Sequence, residues 1–307
     1  MAMMSFEMRR NVSIGMTIHR RLFFLIPLLL IPGCATAPVG EPPMKVLFIG
    51  NSYTSVNDLP SLVEAFAAAG GQKIETDQYL PGGYTFEQQS KDEKAIEKIR
   101  ERKWDVVVLQ EQSLFPILNR ESMTKYARIL HEEISKRGAK TVFYLTWARQ
   151  DIPQMQDGAD PATSPDYARA MFQLIGLSKA TNFEALCKQH KAGLAGGLNG
   201  AYFDIANELK ATVAPVGVAW KKALIDDPSL VLHQPDKSHP NPTGSYLAAC
   251  VFYATLFDKS PVGLPGELRK GNQVLVRIAP DEAATLQKIA WQTVQEMKDR
   301  HRQKAGR

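Results

Sequence analysis

Apolar positions along the chain fall into two recurring patterns. Short unbroken apolar runs, which suit strands covered on both faces, occur at 46–49 and within the strand-like segments 105–109 and 141–145, with more mixed strand-like segments at 73–79 and 211–215. Between them lie longer segments with helical spacing at 59–69, 85–100, 121–137 and 246–257, and residues 165–190 read as mostly helical. Strand and helix alternating in this order predict a doubly wound parallel sheet with helices on both faces. No internal repeat or low-complexity segment interrupts the alternation. The stretch 151–164, rich in Asp, Pro, Gln and Gly, reads as a loop after the fourth strand, placed to shape a pocket. Residues 264–278 read as a small peripheral strand or loop, and 281–300 as a polar amphipathic helix.

The N-terminal segment differs from the rest. Arg9, Arg10, Arg20 and Arg21 precede an apolar run at 22–31 that leads into Pro32-Gly33-Cys34, the layout of a secretion signal and too short for a span of about 20 apolar residues. Ile31 and Gly33 ahead of Cys34 resemble the lipobox of bacterial lipoproteins. That resemblance implies cleavage before Cys34, lipidation of its thiol, and a membrane-anchored protein of the cell envelope. The expected organisation is a signal peptide at 1–33, a proline-bearing tether at 34–43, a main domain at 44–260, and a C-terminal extension at 261–307 packed on or trailing that domain.

Charge is reassessed once the signal is set aside. Residues 1–34 hold four of the 37 Lys and Arg and one of the 32 Asp and Glu, so 33 basic residues face 31 acidic ones in the remainder. A balance this close gives no basis for nucleic-acid binding. With Cys34 lipidated, Cys187 and Cys250 remain in apolar helical contexts, which favours two buried free thiols over a disulfide.

The first strand ends in Gly50-Asn51-Ser52-Tyr53-Thr54, delivering a serine to the carboxyl end of a parallel strand, where ligands bind in open α/β sheets. Taken alone, Ser52 is as well read as a helix cap. A second site lies far along the chain in Asp236-Lys237-Ser238-His239-Pro240, directly before an apolar helix. In a turn, a spacing of three sets the carboxylate against one imidazole nitrogen and frees the other for a nucleophile. Serine needs such a base, and the base needs a carboxylate to fix its tautomer. Two further strand ends offer oxyanion donors: Gly82-Gly83 after the second strand and Gln110-Glu111-Gln112 after the third. Trp147 and Arg149 after the fourth strand, and Trp220 after the fifth, are candidate substrate contacts, since aromatic faces suit sugar rings and Arg suits a carboxylate. No zinc-ligand spacing and no Gly-rich phosphate fingerprint is present, and no cofactor is expected.

In order along the chain, Gly50-Asn51-Ser52, Gly83, the stretch 110–112 and Asp236-x-x-His239 resemble the four sequence blocks of the SGNH hydrolases, also known as GDSL-like esterases. The resemblance spans residues 44–257. It implies a three-layer α/β/α, flavodoxin-like sandwich on a five-stranded parallel sheet. It also implies a Ser52-His239-Asp236 triad and an oxyanion site made by the Ser52 and Gly83 amides with a side chain of the third block. Gln-Glu-Gln stands where that block usually has Gly-x-Asn. Distance past the strand places the donor at Gln112, with Gln110 as its competitor and Gly82 as the alternative to Gly83. The implied activity is hydrolysis of O-acyl esters, O-acetyl groups on a carbohydrate foremost. The alternatives are an envelope O-acyltransferase and an inactive glycan- or ligand-binding lipoprotein.

Overall fold

The computed structural model describes residues 42–177 and 182–305. The signal segment, Cys34 and most of the tether lie outside the described residues. Five strands form one parallel sheet: β1 (Met44–Ile49), β2 (Ile74–Tyr79), β3 (Val106–Leu109), β4 (Lys140–Tyr144) and β5 (Thr212–Ala214). Their order is β2-β1-β3-β4-β5, so the chain leaves β1 towards one edge and returns to its other side for β3. β1 therefore borders the topological switch point, where a crevice opens beyond the strand ends.

The unbroken apolar runs follow from burial on both faces. Val46 and Phe48 of β1, Val106 and Val108 of β3, and Val142 and Tyr144 of β4 enter one core. Leu47, Ile49, Val107, Leu109 and Phe143 enter the other. The first core is closed by α2 (Leu59–Ala69), α10 (Val216–Asp226), α11 (Pro242–Phe257) and α12 (Pro280–Ala305), and α1 (Ser52–Ser55) joins β1 to this layer through a short 3-10 turn. The second core is closed by α3 (Phe86–Lys91), α4 (Glu93–Arg100), α6 (Arg120–Lys136) and α9 (Lys191–Leu209). A third apolar cluster lies between α5 (Phe115–Leu118), α7 (Pro165–Leu174), α8 (Phe183–Gln189) and α9. This is the three-layer α/β/α arrangement that the alternation of elements predicts.

Several helical segments differ from the sequence reading, among them α5 and α10, which it did not assign. The helix expected over 85–100 is two helices, because Asp92 adopts extended backbone and its carboxylate caps the second by accepting from the Lys94 amide. The segment expected as mostly helical over 165–190 is likewise divided, with α7 ending ahead of Gly176 at φ +78°. Helix α9 was not anticipated. Its Gly193, Gly196, Gly197 and Gly200 lower helix propensity, and Gly197 breaks the helical backbone within it.

The C-terminal residues belong to the main core. β6 (Glu267–Lys270) and β7 (Gln273–Arg277) form an antiparallel hairpin, and Leu286, Ile289, Ala290 and Val294 of α12 join the cluster around α11. Gln287 Nε2 donates to Tyr246 Oη of α11 at 2.7 Å, which fixes α12 against it. Cys187 and Cys250 are free thiols; Cys250 is buried, whereas Cys187 is only partly covered because α8 sits at the periphery. Among the described residues no helix is long and apolar enough to cross a membrane, and no cluster of potential ligands could hold a metal ion.

Candidate active site

The β1 strand ends at Ile49, and the chain turns into α1 within two residues. Asn51, not Ser52, caps that helix: its Oδ1 accepts from the Tyr53 amide, and its Nδ2 donates to the Tyr84 carbonyl beyond β2. Ser52 is thereby freed from the capping role and stands at the first position of α1. Gln110, at the end of β3, braces the turn from beneath. Its Oε1 accepts from the Asn51 amide at 2.9 Å and from Thr54 Oγ1 at 2.9 Å, while its Nε2 donates to the Glu111 carbonyl. Gly50 is what lets this side chain in, since a Cβ there would lie 2.8 Å from Gln110 Oε1 and 2.8 Å from Thr54 Oγ1.

His239 reaches Ser52 from a turn 187 residues away. Its Nε2 lies 2.8 Å from Ser52 Oγ, and its Nδ1 lies 2.5 Å from Asp236 Oδ2. The other carboxylate oxygen of Asp236 accepts from the amides of Ser238 and His239, both at 2.9 Å. Partial burial pushes the Asp236 carboxyl up, but the bond from His239 and the two amides outweigh it and hold the group down at about 2. Asp236 is therefore ionised at neutral pH. That fixes the imidazole proton on Nδ1 and leaves Nε2 as the acceptor towards Ser52.

The segment after β4 holds this turn in place. Trp147 Nε1 donates to the Ser238 carbonyl at 2.9 Å, the Gln150 amide to the Lys237 carbonyl at 3.0 Å, and Arg149 Nη2 to the Asp236 carbonyl at 3.1 Å. Trp147 is 1% exposed and stacks between Tyr53, at 5.0 Å, and Trp220, at 4.1 Å. Considered from sequence as substrate contacts, Trp147 and Trp220 are instead buried packing groups, because Trp147, just past β4, enters the same core as α10, whose Trp220 stacks on it. Tyr53 adds a bond from its hydroxyl to Ser238 Oγ and sets its ring edge-on to His239.

A cleft of about 230 Å³ opens above Ser52. It is lined by Ser52, His239, Gly83, Gln112, Arg149 and Leu174 among others. Gly83, at φ +71°, adopts the left-handed backbone that glycine allows, and it reaches the cleft where Gly82 does not. Gln112 lines the cleft with its Oε1 engaged by the Leu114 amide at 2.7 Å, which turns the side chain's two N–H donors away from that contact. Gln110 is buried beneath the turn, with both ends of its amide occupied. Arg149 lines the cleft too, with Nε 3.5 Å from Asp151 Oδ1. The 151–164 loop does not line the cleft. It is pinned to α9 through Gln156, which bonds the Ala148 amide and Asn199. Sequence reasoning left Asn51, Tyr53, Ser238 and Glu111 without roles. The structure puts each against the nucleophile turn or the His239 turn, or between the second and third strand ends.

A five-stranded parallel sheet in this order between two helical layers is the architecture of the SGNH hydrolase fold. Solved structures carry the same architecture. A protein from Slackia heliotrinireducens assigned as an SGNH hydrolase is 22% identical, with a TM-score of 0.51 over 70% of this chain and 100% of its own. A DUF4886 family protein from Bacteroides uniformis is 17% identical, with a TM-score of 0.58 over 82% of this chain and 95% of its own. No family model and no curated protein sequence matches the chain.

Proposed function

We propose that this protein is a serine esterase that removes short O-acyl groups, O-acetyl foremost, from a carbohydrate. The observation that carries the reading is the unbroken hydrogen-bonded chain from Asp236 through His239 to Ser52 Oγ, opening on a cleft. In the mechanism Ser52 Oγ attacks the ester carbonyl carbon and passes its proton to His239 Nε2, while Asp236 stabilises the imidazolium. The Ser52 and Gly83 amides and the Gln112 side chain hold the oxyanion. His239 returns the proton to the departing alcohol, and water, activated by the same imidazole, releases the acyl group from Ser52.

The cleft is smaller than the roughly 300–1,000 Å³ of sites that take drug-sized ligands, which favours an acetyl over a long acyl chain. Arg149, at its wall, is a candidate partner for an acidic group on the sugar. The test is release of acetate from an O-acetylated polysaccharide and from a chromogenic acetyl ester; a folded protein inert on both would sink the reading. Replacing Gln112 by Ala is expected to lower kcat about 10²–10³-fold with little change in KM, the usual consequence of losing one oxyanion donor. Unchanged kcat in that variant would remove Gln112 from the oxyanion site.

The lipobox-like Ile31-Pro32-Gly33-Cys34 supports an exported protein anchored through a lipid on Cys34. In a bacterial host, the full chain is expected to incorporate a labelled fatty acid and to sediment with membranes, and Cys34→Ala to do neither. Equal labelling of both would overturn the anchor.

A further inference from the structure

One ionisable group beside the cleft has no part in the steps above. Glu111, between Gln110 and Gln112, is 1% exposed, and one of its carboxyl oxygens gathers two backbone amides, one from the start of α3 and one from the segment after β3. Oε1 accepts from the Phe86 amide at 3.0 Å and from the Gln112 amide at 2.7 Å. Phe86 opens α3, three residues after Gly83, and Gln112 is the cleft-lining residue after β3. The Glu111 main chain is fixed as well, its amide donating to Tyr202 Oη of α9 at 3.2 Å and its carbonyl accepting from Gln110 Nε2. The second carboxyl oxygen, Oε2, is buried with no hydrogen-bond partner.

We propose that Glu111 is a positioning residue for acyl transfer, its single carboxyl oxygen setting the spacing between the Gly83 and Gln112 arms of the oxyanion site. The proposal rests on the esterase reading. An oxyanion donor works only when it is held where the charge develops, and a displacement of about 1 Å can cost about 10²-fold in rate. Neither arm is fixed by the sheet itself, because both lie past the strand ends. Glu111 ties Gln112 to Phe86, three residues past Gly83, while the Gln110 side chain beside it joins β3 to the nucleophile turn.

The chemistry of the carboxyl adds a pH dependence to this geometry. Burial pushes Glu111 up to about 8, against the opposing pull of the Gln112 and Phe86 amides and with a small further push from Glu87. The titratable groups facing it are the buried Tyr202 phenol on α9 and Glu87 on α3, whose carboxylate is itself held by Lys91 and by Tyr126 of α6. Below about pH 8 the side chain is neutral and can hold the amides without opposing an oxyanion. Above it, a buried negative charge stands behind both donors.

The experiment compares wild type, Glu111→Gln, Glu111→Ala and Ser52→Ala on a chromogenic acetyl ester between pH 6 and 9.5. Glutamine keeps an acceptor oxygen in place and cannot ionise. At pH 7 its kcat is expected within about threefold of wild type, and it is expected to lack the wild-type fall in kcat above pH 8. Alanine is expected to lower kcat about 30-fold or more with KM held within about threefold, counted per mole of folded protein by circular dichroism, because loss of folded protein alone also lowers apparent kcat at unchanged KM. Wild-type kcat in Glu111→Ala would overturn the proposal, as would a Glu111→Gln variant as impaired as alanine at pH 7. Should Glu111→Ala fail to fold, the Glu111→Gln profile decides: a decline above pH 8 matching wild type overturns the proposal. Ser52→Ala separates the two readings, since full activity in that variant removes the esterase reading itself, whatever Glu111 does.

Discussion

Ser52→Ala is expected to lower kcat on a chromogenic acetyl ester by at least about 10³-fold while leaving the fold in place. The size follows from the position of the hydroxyl. Ser52 Oγ is the only atom of that side chain in the catalytic chain, 2.8 Å from His239 Nε2, and no other hydroxyl bonds to that nitrogen among the described residues. The fold is expected to survive because the structural tasks of the turn belong to other groups. Asn51 caps α1, Gln110 braces the turn from below, and Gly50 gives that brace room. Steady-state kinetics with a thermal melt in parallel read both halves. A variant as active as wild type would show that ester cleavage takes place elsewhere; loss of activity together with a collapsed melt would show that the hydroxyl is structural.

Asp236→Asn is expected to cost about 10³–10⁴-fold in kcat. The carboxylate, held down at about 2 chiefly by the His239 bond against the upward push of burial, accepts at both oxygens. Asparagine can keep the two amide bonds at Oδ1 and then presents an N–H₂ to His239 Nδ1. The imidazole must answer as an acceptor there, which moves its proton to Nε2, the atom that has to take the proton from Ser52. The turn is preserved and the tautomer is wrong. Because the folded-state value lies below that of a free Asp, near 3.9, ionised Asp236 favours the folded turn above that pH, and the contribution fades as pH falls through about 2. The sensitive measurement is kcat at pH 7 with the ring tautomer read by NMR. Wild-type kcat in a variant carrying the Nε2–H tautomer would remove Asp236 from the catalytic chain.

The sheet was readable because burial on both faces leaves a strong mark: 46–49 and 105–109 are apolar at nearly every position, and residues on alternate sides enter separate cores. Asp236 and His239 were readable because three residues in a turn suffice to join carboxylate and imidazole locally. Helix α9 was not, since its glycines serve close packing, as where Gly193 meets the Ile117 backbone, and packing of that kind has no one-dimensional pattern. The division of labour between Gln110 and Gln112 was likewise hidden. Two like side chains two residues apart in an irregular segment after a strand do not reveal which one lies under the nucleophile turn and which faces solvent. Trp147 and Trp220 read as sugar platforms because aromatic residues at a strand end look alike whether they stack on ligand or on each other; here they stack on each other. Glu111 gave no signal at all, since a lone glutamate in a polar stretch is ordinarily solvated.

The turn that carries His239 is tied through Trp147, Arg149 and Gln150 to the exit of β4, whereas Ser52 is carried by β1, and β3 lies between those two strands. The sheet thus acts as a ruler. Its two inter-strand steps, each about 4.8 Å, set the gap that the nucleophile and the base bridge with their side chains. Any change that spreads β1 from β4, even deep in the core at Val107 or Phe143, would be felt as a lengthened Ser52–His239 contact before it was felt as unfolding.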